Sequence, residues 1–229
     1  MSALVELIGK ARAILFDFDG VLVDSEPVHF GVYRSIFEKR GHILGEEDYW
    51  KYWTILGEGV RGELRRHNLD HLDPEELQGE KDRDFLAACH SGVIPFDPAA
   101  RSLVSAMRSS GKLVCIASNS PREQIDAIRH TADANSVPEF DAIIGRSPDM
   151  AKKPAPDIFL AAARTLEIPP PECLVIEDAD KGLRAAHAAG MPCVILRTLQ
   201  NRDFPFEGAQ GMAESLGEIM SALGEGYGD

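Results

Sequence analysis

The chain has a shortage of basic residues and no long apolar run, and both features exclude classes of protein. Its 229 residues include 24 Lys and Arg against 37 Asp and Glu, which gives a formal net charge of −13. A nucleic-acid or anionic-membrane binder needs a basic face, so we expect neither partner. No apolar run approaches the length of a bilayer span. The N-terminus carries Glu6 and no basic segment, unlike a signal peptide, so we expect a cytoplasmic protein.

Cysteine is scarce and has no informative spacing. The four cysteines are Cys89, Cys115, Cys173 and Cys193, and no two of them have the separation of a metal site or a redox motif. The last three lie inside apolar runs. We therefore expect plain buried thiols.

Short apolar runs alternate with helical patterns along most of the chain. The predicted strands are residues 13–18, 113–118, 141–144, 173–177 and 193–196, and the N-terminal residues are expected to lead directly into the first of them. Ser120, Pro121 and Glu123 form an apparent capping box at the start of one intervening helix. Such alternation predicts an α/β fold with βαβ units around a parallel sheet.

Residues 25–94 interrupt this alternation. They contain no convincing strand, yet they have helical patterns, including a capping box that begins at Asp73. We predict a small helical domain over residues 25–94, inserted into a core formed by residues 1–24 and 95–229.

Paired acids end the first predicted strand. Asp17 and Asp19 are two residues apart, so both side chains point to the same face, and Gly20 then permits a sharp turn. Open α/β sheets bind ligands at this end of their strands. Two adjacent carboxylates repel each other, so they need a cation or a shared proton. The alternative is a strand end with ordinary Asx turns.

Three further segments place chemical groups after other predicted strands. Ser118 precedes a helix N-terminus, where an anion is favoured, although serine is also a common cap. Lys153 lies before a proline-stiffened turn, where it is either a fixed cation in a cleft or part of a surface loop. Glu177 and Asp178 follow an apolar strand and offer the oxygen ligands that Mg²⁺ accepts, or they form a capped turn. Their shared position at strand ends favours a single site.

In this combination the chain resembles the haloacid dehalogenase-like superfamily of phosphotransferases, in the branch of β-phosphoglucomutases and sugar-phosphate phosphatases. The resemblance is carried by the run from Asp17 to Ser25, by Lys153-Pro-Ala-Pro-Asp-x-Phe and by Glu177-Asp178, and it spans nearly the whole chain. It implies a Rossmann-like core with a mobile helical cap inserted after the first strand, where residues 25–94 fall.

The resemblance also implies a role for each of these residues. Asp17 would be the nucleophile that forms an aspartyl-phosphate, and Asp19 the general acid and then the general base. Mg²⁺ would be held by Asp17, the Asp19 carbonyl and Asp178, with Glu177 close by or bound through water. The following residues would bind or orient the phosphoryl oxygens: Ser118, Asn119 and Lys153. Dehalogenases of the superfamily lack the second acid, so Asp19 favours phosphate chemistry.

The predicted cap gives weaker indications of the substrate. His29 matches a histidine of mutase-like relatives, and Arg61 could reach a distal phosphate or a sugar hydroxyl, although His29 could equally pack or cap and Arg61 could be solvated. His67 and His71 have the i,i+4 spacing of a metal site, but no further ligand is evident, so we expect a solvated face.

Three functions remain open at this point. The first is a Mg²⁺-dependent phosphatase of small phosphorylated metabolites such as sugar phosphates, which would act as a monomer on a small phosphate ester. The second is a β-phosphoglucomutase-type phosphomutase, and the third is a non-catalytic regulator. Mutase-like relatives have Ala-Ser-Lys-Asn after the motif serine, whereas this chain has Asn119-Ser120-Pro121-Arg122. We therefore favour the phosphatase.

Overall fold

A parallel sheet of six strands forms the centre of the computed structural model, which describes residues 2–55 and 57–226. The strands are β1 (Ala13–Phe16), β2 (Leu113–Pro121), β3 (Ala142–Arg146), β4 (Cys173–Glu177), β5 (Cys193–Leu196) and β6 (Gly211–Ala213). Their order across the sheet is β3-β2-β1-β4-β5-β6, and every neighbouring pair is parallel. The predicted α/β fold class is confirmed.

Ten α-helices accompany these strands in the described residues. They are α1 (Ala3–Lys10), α2 (Glu26–Glu38), α3 (Glu46–Asp48), α4 (Gly59–Arg66), α5 (Pro74–His90), α6 (Ala100–Ser109), α7 (Arg122–Thr131), α8 (Asp157–Leu166), α9 (Asp180–Ala188) and α10 (Leu216–Glu225). A π-helical segment spans Tyr49–Ile55, and a short 3₁₀ helix spans Pro170–Glu172.

Helices cover both faces of the sheet, which explains why its strands are mostly apolar. Alternate residues of β1 point to opposite faces. Ile14 and Phe16 join one buried cluster with residues of α1, α6, α7 and α10. Ala13 and Leu15 join a second cluster with residues of α8 and α9. A strand that is buried on both faces cannot show the apolar–polar alternation of a half-exposed strand.

Two elements at the chain ends were missed by the sequence analysis. The N-terminal residues do not lead directly into β1, because they first form α1, whose N-cap Ser2 accepts a hydrogen bond from the Val5 amide at 3.3 Å. α1 buries Leu4, Val5 and Ile8. The short strand β6 was also not predicted, since a three-residue run has too little pattern to be recognised.

The predicted capping box at Ser120 is wrong. β2 continues to Pro121, α7 begins at Arg122, and no side chain caps this helix. The Ser120 hydroxyl instead donates to Asp19. The predicted start at Asp73 is confirmed, because its carboxylate accepts from the Glu75 amide at 2.9 Å at the N-terminus of α5.

The helices α2 to α5 and the π-helical segment between them form what we call the helical insert, residues 25–94. The chain leaves and returns side by side, because Val23 bridges Phe96 and the Asp97 amide donates to the Leu22 carbonyl at 2.8 Å. The helical insert has an apolar cluster of its own, with these buried members: Tyr33, Ile36, Phe37, Leu44, Tyr49, Trp53, Val60, Leu64 and Leu77. Its last helix also reaches the main core, where Phe85 is buried.

Two expectations drawn from the composition, buried thiols and the lack of a bilayer-spanning run, can be compared with the structure. All four cysteines are free and buried, as predicted. Burial raises the pKa of Cys89 and Cys173 to about 11 and that of Cys115 to about 12, which makes their thiolates scarce at neutral pH. No helix among the described residues combines the length and apolarity of a membrane span.

We expect the substitution Leu44→Ala to lower the free energy of unfolding by about 2–5 kcal/mol, because it leaves a cavity inside the helical insert. The side chain of Leu44 is 1% exposed. Leu199, which is 74% exposed, provides the control, since Leu199→Ala should change stability by less than about 0.5 kcal/mol. Urea denaturation followed by circular dichroism measures both values, and equal effects would contradict the packing described here.

Candidate active site

The register of the central strands places two acids side by side. Phe16 of β1 lies opposite Ile176 of β4, and the Asp17 amide donates to the Ile176 carbonyl at 2.9 Å. Asp17 directly follows Phe16 and Glu177 directly follows Ile176, so the two acids lie next to each other at the ends of the two strands. After β1 the chain builds the sheet outward through β2 and β3, and it then returns to the other side of β1 at β4. In sheets of this kind, ligands bind where the strand order reverses.

A buried lysine joins these strand ends. Lys153 Nζ lies 2.7 Å from Asp17 Oδ1, 2.9 Å from Glu177 Oε1 and 2.9 Å from the Ala117 carbonyl oxygen. Its side chain is 1% exposed. Burial alone would lower the pKa of Lys153, but the charges of Asp17 and Glu177 raise it above the usual value. The ammonium therefore stays protonated, and its three N–H donors all have acceptors.

Glu177 is held from the opposite side by the backbone. Its Oε2 accepts hydrogen bonds from the Asp178 and Ala179 amides, both at 2.9 Å. The carboxyl group also packs against the Cα of Gly182 in α9, where a Cβ would lie only 1.8 Å from the Glu177 carboxyl carbon. Glu177 is thus a fully buried anchor for Lys153, with both oxygens occupied.

Asp178 completes a group of three carboxylates. One oxygen from each of Asp17, Glu177 and Asp178 lies within 4.8 Å of the others. Burial raises the pKa of Asp178 well above its ordinary value, and the charges of Glu177 and Asp17 raise it further. With all three acids ionised, Lys153 leaves a net charge of −2. An all-oxygen donor set with this excess charge fits a hard divalent cation such as Mg²⁺.

Gly20 allows Asp178 to approach this group. Its φ is +78°, which disfavours other residues, and a Cβ there would lie 2.1 Å from Asp178 Oδ2. The sharp turn predicted at Gly20 therefore serves a second purpose, because it makes room for the carboxylate from the neighbouring strand.

Two serines hold Asp19. Ser25, at the N-cap of α2, donates to Asp19 Oδ1 at 2.5 Å, and Ser120 of β2 donates to Oδ2. Neither hydroxyl was predicted to contact Asp19, since Ser120 was expected to cap a helix and Ser25 had no assigned role. In the sequence, only their closeness to the predicted site residues pointed to them, since Ser25 ends the acidic run and Ser120 lies two residues after Ser118.

Ser118 and Asn119 lie at the same strand ends. The Ser118 side chain is buried, and its hydroxyl oxygen accepts from the Ser120 amide at 3.1 Å. Asn119 Oδ1 accepts from the backbone amide of Lys153 at 3.0 Å. Asn119 thereby ties β2 to the loop that carries the buried lysine.

The two residues predicted from the helical insert have other partners. His29 stacks on Phe85 with ring centroids 3.7 Å apart and an angle of 13° between the planes. Burial, together with the charges of Lys81 and Lys181, holds the pKa of His29 well below its usual value. Arg61 is 69% exposed and pairs with Glu75. Within the described residues, neither side chain has a hydrogen bond or ion pair with the strand-end groups.

Lys81 is a cation of the helical insert that the sequence analysis overlooked. It belongs to α5, its side chain is 12% exposed, and its Nζ lies 4.6 Å from the centroid of the Phe85 ring. Burial lowers its pKa, while the charges of Asp82, Asp19 and Glu26 oppose that change. Lys81 lies in a charged stretch of the sequence that is typical of any solvated helix, so no local pattern distinguished it.

Known proteins match most of the chain in sequence. The model of the haloacid dehalogenase-like hydrolase family matches residues 11–190. The chain is 30% identical over 223 residues to the protein CbbY, plasmid, of Cupriavidus necator, and the match covers 90% of this chain and 86% of that protein. It is also 30% identical over 193 residues to fructose-1-phosphate phosphatase YqaB of Escherichia coli. This match covers 83% of this chain and 98% of that protein.

A solved structure shows the same architecture. CbbY of Rhodobacter sphaeroides in complex with phosphate superposes with a TM-score of 0.75 at 27% identity, covering 93% of this chain and 99% of that one. A mutant of that protein, in complex with xylulose-(1,5)bisphosphate, gives the same values.

Gly182→Ala should lower the free energy of unfolding by about 1–3 kcal/mol, the usual cost of overpacking, because the new methyl group must displace the Glu177 carboxyl group. Gly31→Ala is the matched control. Gly31 also lies in a helix, α2, and nothing is within 4 Å of a Cβ built there. The gain in helix propensity should therefore leave that variant unchanged or up to about 1 kcal/mol more stable. Urea titrations compare the two, and a neutral Gly182→Ala would contradict the close packing at Glu177.

Proposed function

The chain belongs to the haloacid dehalogenase-like hydrolase family, and on that premise we propose that it is a Mg²⁺-dependent phosphatase of small phosphorylated metabolites, acting through a phosphoaspartate at Asp17. One observation carries the proposal. The carboxylates of Asp17, Glu177 and Asp178 converge within 4.8 Å, and a buried Lys153 contacts two of them. This arrangement combines a nucleophile, a site for a divalent cation and a fixed positive charge.

In the first step, Asp17 attacks the phosphorus of the substrate. Lys153 holds Asp17 Oδ1, which leaves Oδ2 as the attacking oxygen. A bond forms between this oxygen and phosphorus while the bond to the leaving oxygen breaks. Asp19 donates a proton to that leaving oxygen, so that the product departs as an alcohol. Ser118 and Asn119 orient the phosphoryl oxygens.

In the second step, water hydrolyses the phosphoaspartate. Asp19, now ionised, accepts a proton from the attacking water, and the water oxygen bonds to phosphorus as the bond to Asp17 breaks. Inorganic phosphate leaves, and Asp17 is restored. The hydroxyls of Ser25 and Ser120 keep the Asp19 carboxyl group in position between steps.

The acidic residues also provide the site for the cation. Asp17, Asp178 and the backbone carbonyl of Asp19 would hold Mg²⁺, with Glu177 close by. When bound, the ion neutralises the charge of the carboxylates and of the phosphoryl oxygens. The three acids and Lys153 have a net charge of −2, so a phosphate dianion would be repelled without a divalent cation.

We propose that the helical insert acts as a cap over a core made of residues 1–24 and 95–229, and that it selects the substrate. His29, Arg61 and Lys81 are its candidate recognition residues. Of these, Lys81 is the least exposed cation and has an electrostatic interaction with Asp19. Two relatives are described with phosphorylated ketoses: one is named a fructose-1-phosphate phosphatase, and the other was crystallised with xylulose 1,5-bisphosphate. Ketose phosphates are therefore the first substrates to test.

The alternative function is a phosphomutase of the β-phosphoglucomutase type. In the sequence, His29 and Arg61 were the residues that favoured a phosphomutase. Arg61 pairs at the surface with Glu75, and Ser120, which stands in the run that differs from the mutase pattern, donates to Asp19. Both observations favour the phosphatase.

A panel of phosphorylated metabolites, assayed with Mg²⁺ for released phosphate and for isomerised sugar phosphate, tests the proposed function. The panel contains ketose phosphates, aldose phosphates and a hexose 1-phosphate with a bisphosphate primer. We expect stoichiometric phosphate release from at least one ketose phosphate. Isomerisation without release would establish the phosphomutase, and the absence of both activities would favour a regulator.

Substitution of the two acids should separate their roles. Asp17→Asn should abolish turnover, because an amide is not a nucleophile. Asp19→Asn should lower kcat by about 10²-fold or more, the usual scale of general acid–base catalysis. Asp203→Asn, which changes an exposed aspartate elsewhere, should leave the rate unchanged. Steady-state phosphate release measures all three, and a fully active Asp17→Asn variant would overturn the assignment.

Mg²⁺ should protect the folded protein. At a concentration about a hundredfold above its Kd, a bound ion contributes about 2.7 kcal/mol, which corresponds to a rise in Tm of roughly 5–10 °C for a chain of this size. Differential scanning calorimetry should show this rise in the parent and in Asp203→Asn. The shift should be largely absent in Asp178→Asn, and an equal shift in that variant would place the ion elsewhere.

A further inference from the structure

A second cluster of metal-ligating groups lies in the helical insert. His42 Nε2 is 2.8 Å from Glu63 Oε1, and His67 Nε2 is 3.4 Å from the same oxygen. The three ligand atoms all lie within 4.8 Å of one another. We propose that His42, Glu63 and His67 bind a transition-metal ion that accepts imidazole nitrogen, with Zn²⁺ as the most suitable candidate.

The separations suit such an ion. Bonds of about 2.0–2.1 Å at tetrahedral angles place neighbouring ligand atoms about 3.3 Å apart. The two distances to Glu63 Oε1, 2.8 and 3.4 Å, fall on either side of this value. The remaining pair of ligand atoms, from His42 and His67, lies within 4.8 Å. Two imidazoles and one carboxylate form a ligand set that zinc uses when it keeps a fourth position for water.

The second oxygen of Glu63 is already fixed. Oε2 accepts from Trp53 Nε1 at 3.0 Å and from Arg66. Glu63 is 1% exposed, so its carboxylate has one defined orientation, with Oε1 turned toward both histidines. Metal sites commonly use this division, in which one part of a ligand binds the ion and another is held by a neighbouring donor.

The local fold brings these groups together from distant parts of the sequence. Glu63 and His67 are four residues apart at the C-terminal end of α4, so they lie on one face. His42 comes from the segment after α2. The sequence predicted a solvated face at His67 and His71, and both residues are exposed, but His67 also lies beside His42 and Glu63. α4 ends at Arg66, so His67 and His71 do not share a helical face, and His71 is exposed.

The charges near the cluster permit a divalent ion. Arg66 contacts Glu63, but it also contacts Glu58, so its charge is shared between two carboxylates. Trp53 and Arg66 occupy Oε2 of Glu63, so Oε1, which faces both histidines, is the oxygen available as a ligand.

This site differs in chemistry from the acidic group at the strand ends. Nitrogen ligands favour zinc, cobalt and nickel over magnesium, whereas the all-oxygen group favours magnesium. A metal held by His42 and by α4 would join two segments of the helical insert and would stabilise the insert by mass action. The proposal does not depend on the reaction that the core performs.

Co²⁺ provides a spectroscopic test that separates the two sites. Chelator-treated full-length protein is saturated with Mg²⁺ and then titrated with Co²⁺. We expect an intense visible absorption band from four-coordinate cobalt, which Zn²⁺ should displace at stoichiometric concentration. His42→Gln and His67→Gln should each remove the band, and the matched control His71→Gln should retain it. Far-ultraviolet circular dichroism establishes that each variant is folded.

A second variant keeps all three ligands but removes a supporting hydrogen bond. Trp53→Phe should weaken Zn²⁺ binding about 10–100-fold, the usual cost of losing such a partner. Thermal unfolding should show a Zn²⁺-dependent rise in Tm for the parent and for His71→Gln, but not for His67→Gln. The proposal is overturned if no band forms, if the His42 and His67 variants bind like the parent, or if only Asp178→Asn loses the band.

Discussion

The candidate active site depends on one buried charge, the ammonium of Lys153 between Asp17 and Glu177. Removing these groups from water costs several kcal/mol per ion, and only close contacts offset that cost. The structure supplies them, since Lys153 Nζ has three acceptors within 2.9 Å and Glu177 accepts two backbone hydrogen bonds. Loss of Lys153 would leave the carboxylates of Asp17 and Glu177 without the cation that they share, so this one side chain fixes the ends of β1 and β4 and the loop after β3 together.

The same geometry concentrates more negative charge than Lys153 can neutralise. One ammonium cannot balance three converging carboxylates. The pKa of Asp178 is raised first by burial and then by the charges of Glu177 and Asp17. Gly20 and Gly182 matter for this reason, because the absence of a side chain at each position lets Asp178 and Glu177 come close. Glycines at these two positions let the carboxylates converge, and the cation site that we propose depends on this convergence.

Sequence patterns predicted the centre of the molecule better than its edges. The bounds of β4 and β5 agree with the prediction, because a strand that is buried on both faces leaves an uninterrupted apolar run. The positions of Asp17 and Glu177 follow from the parallel register of β1 and β4, whereas Lys153 lies in the loop after β3, where its amide donates to Asn119. The Ser120 bond to Asp19 and the grouping of His42 with Glu63 arise from tertiary contacts between residues 101 and 21 positions apart, and no local pattern encodes such contacts.

A crystal structure of the protein with Mg²⁺ and beryllium trifluoride, an analogue of a transferred phosphoryl group, would test this account most directly. The account predicts the beryllium on an Asp17 carboxylate oxygen, the ion between Asp17 and Asp178, and Lys153 Nζ within hydrogen-bond distance of a fluoride. Beryllium fluoride bound at another residue, or an ion that contacts neither Asp17 nor Asp178, would contradict it.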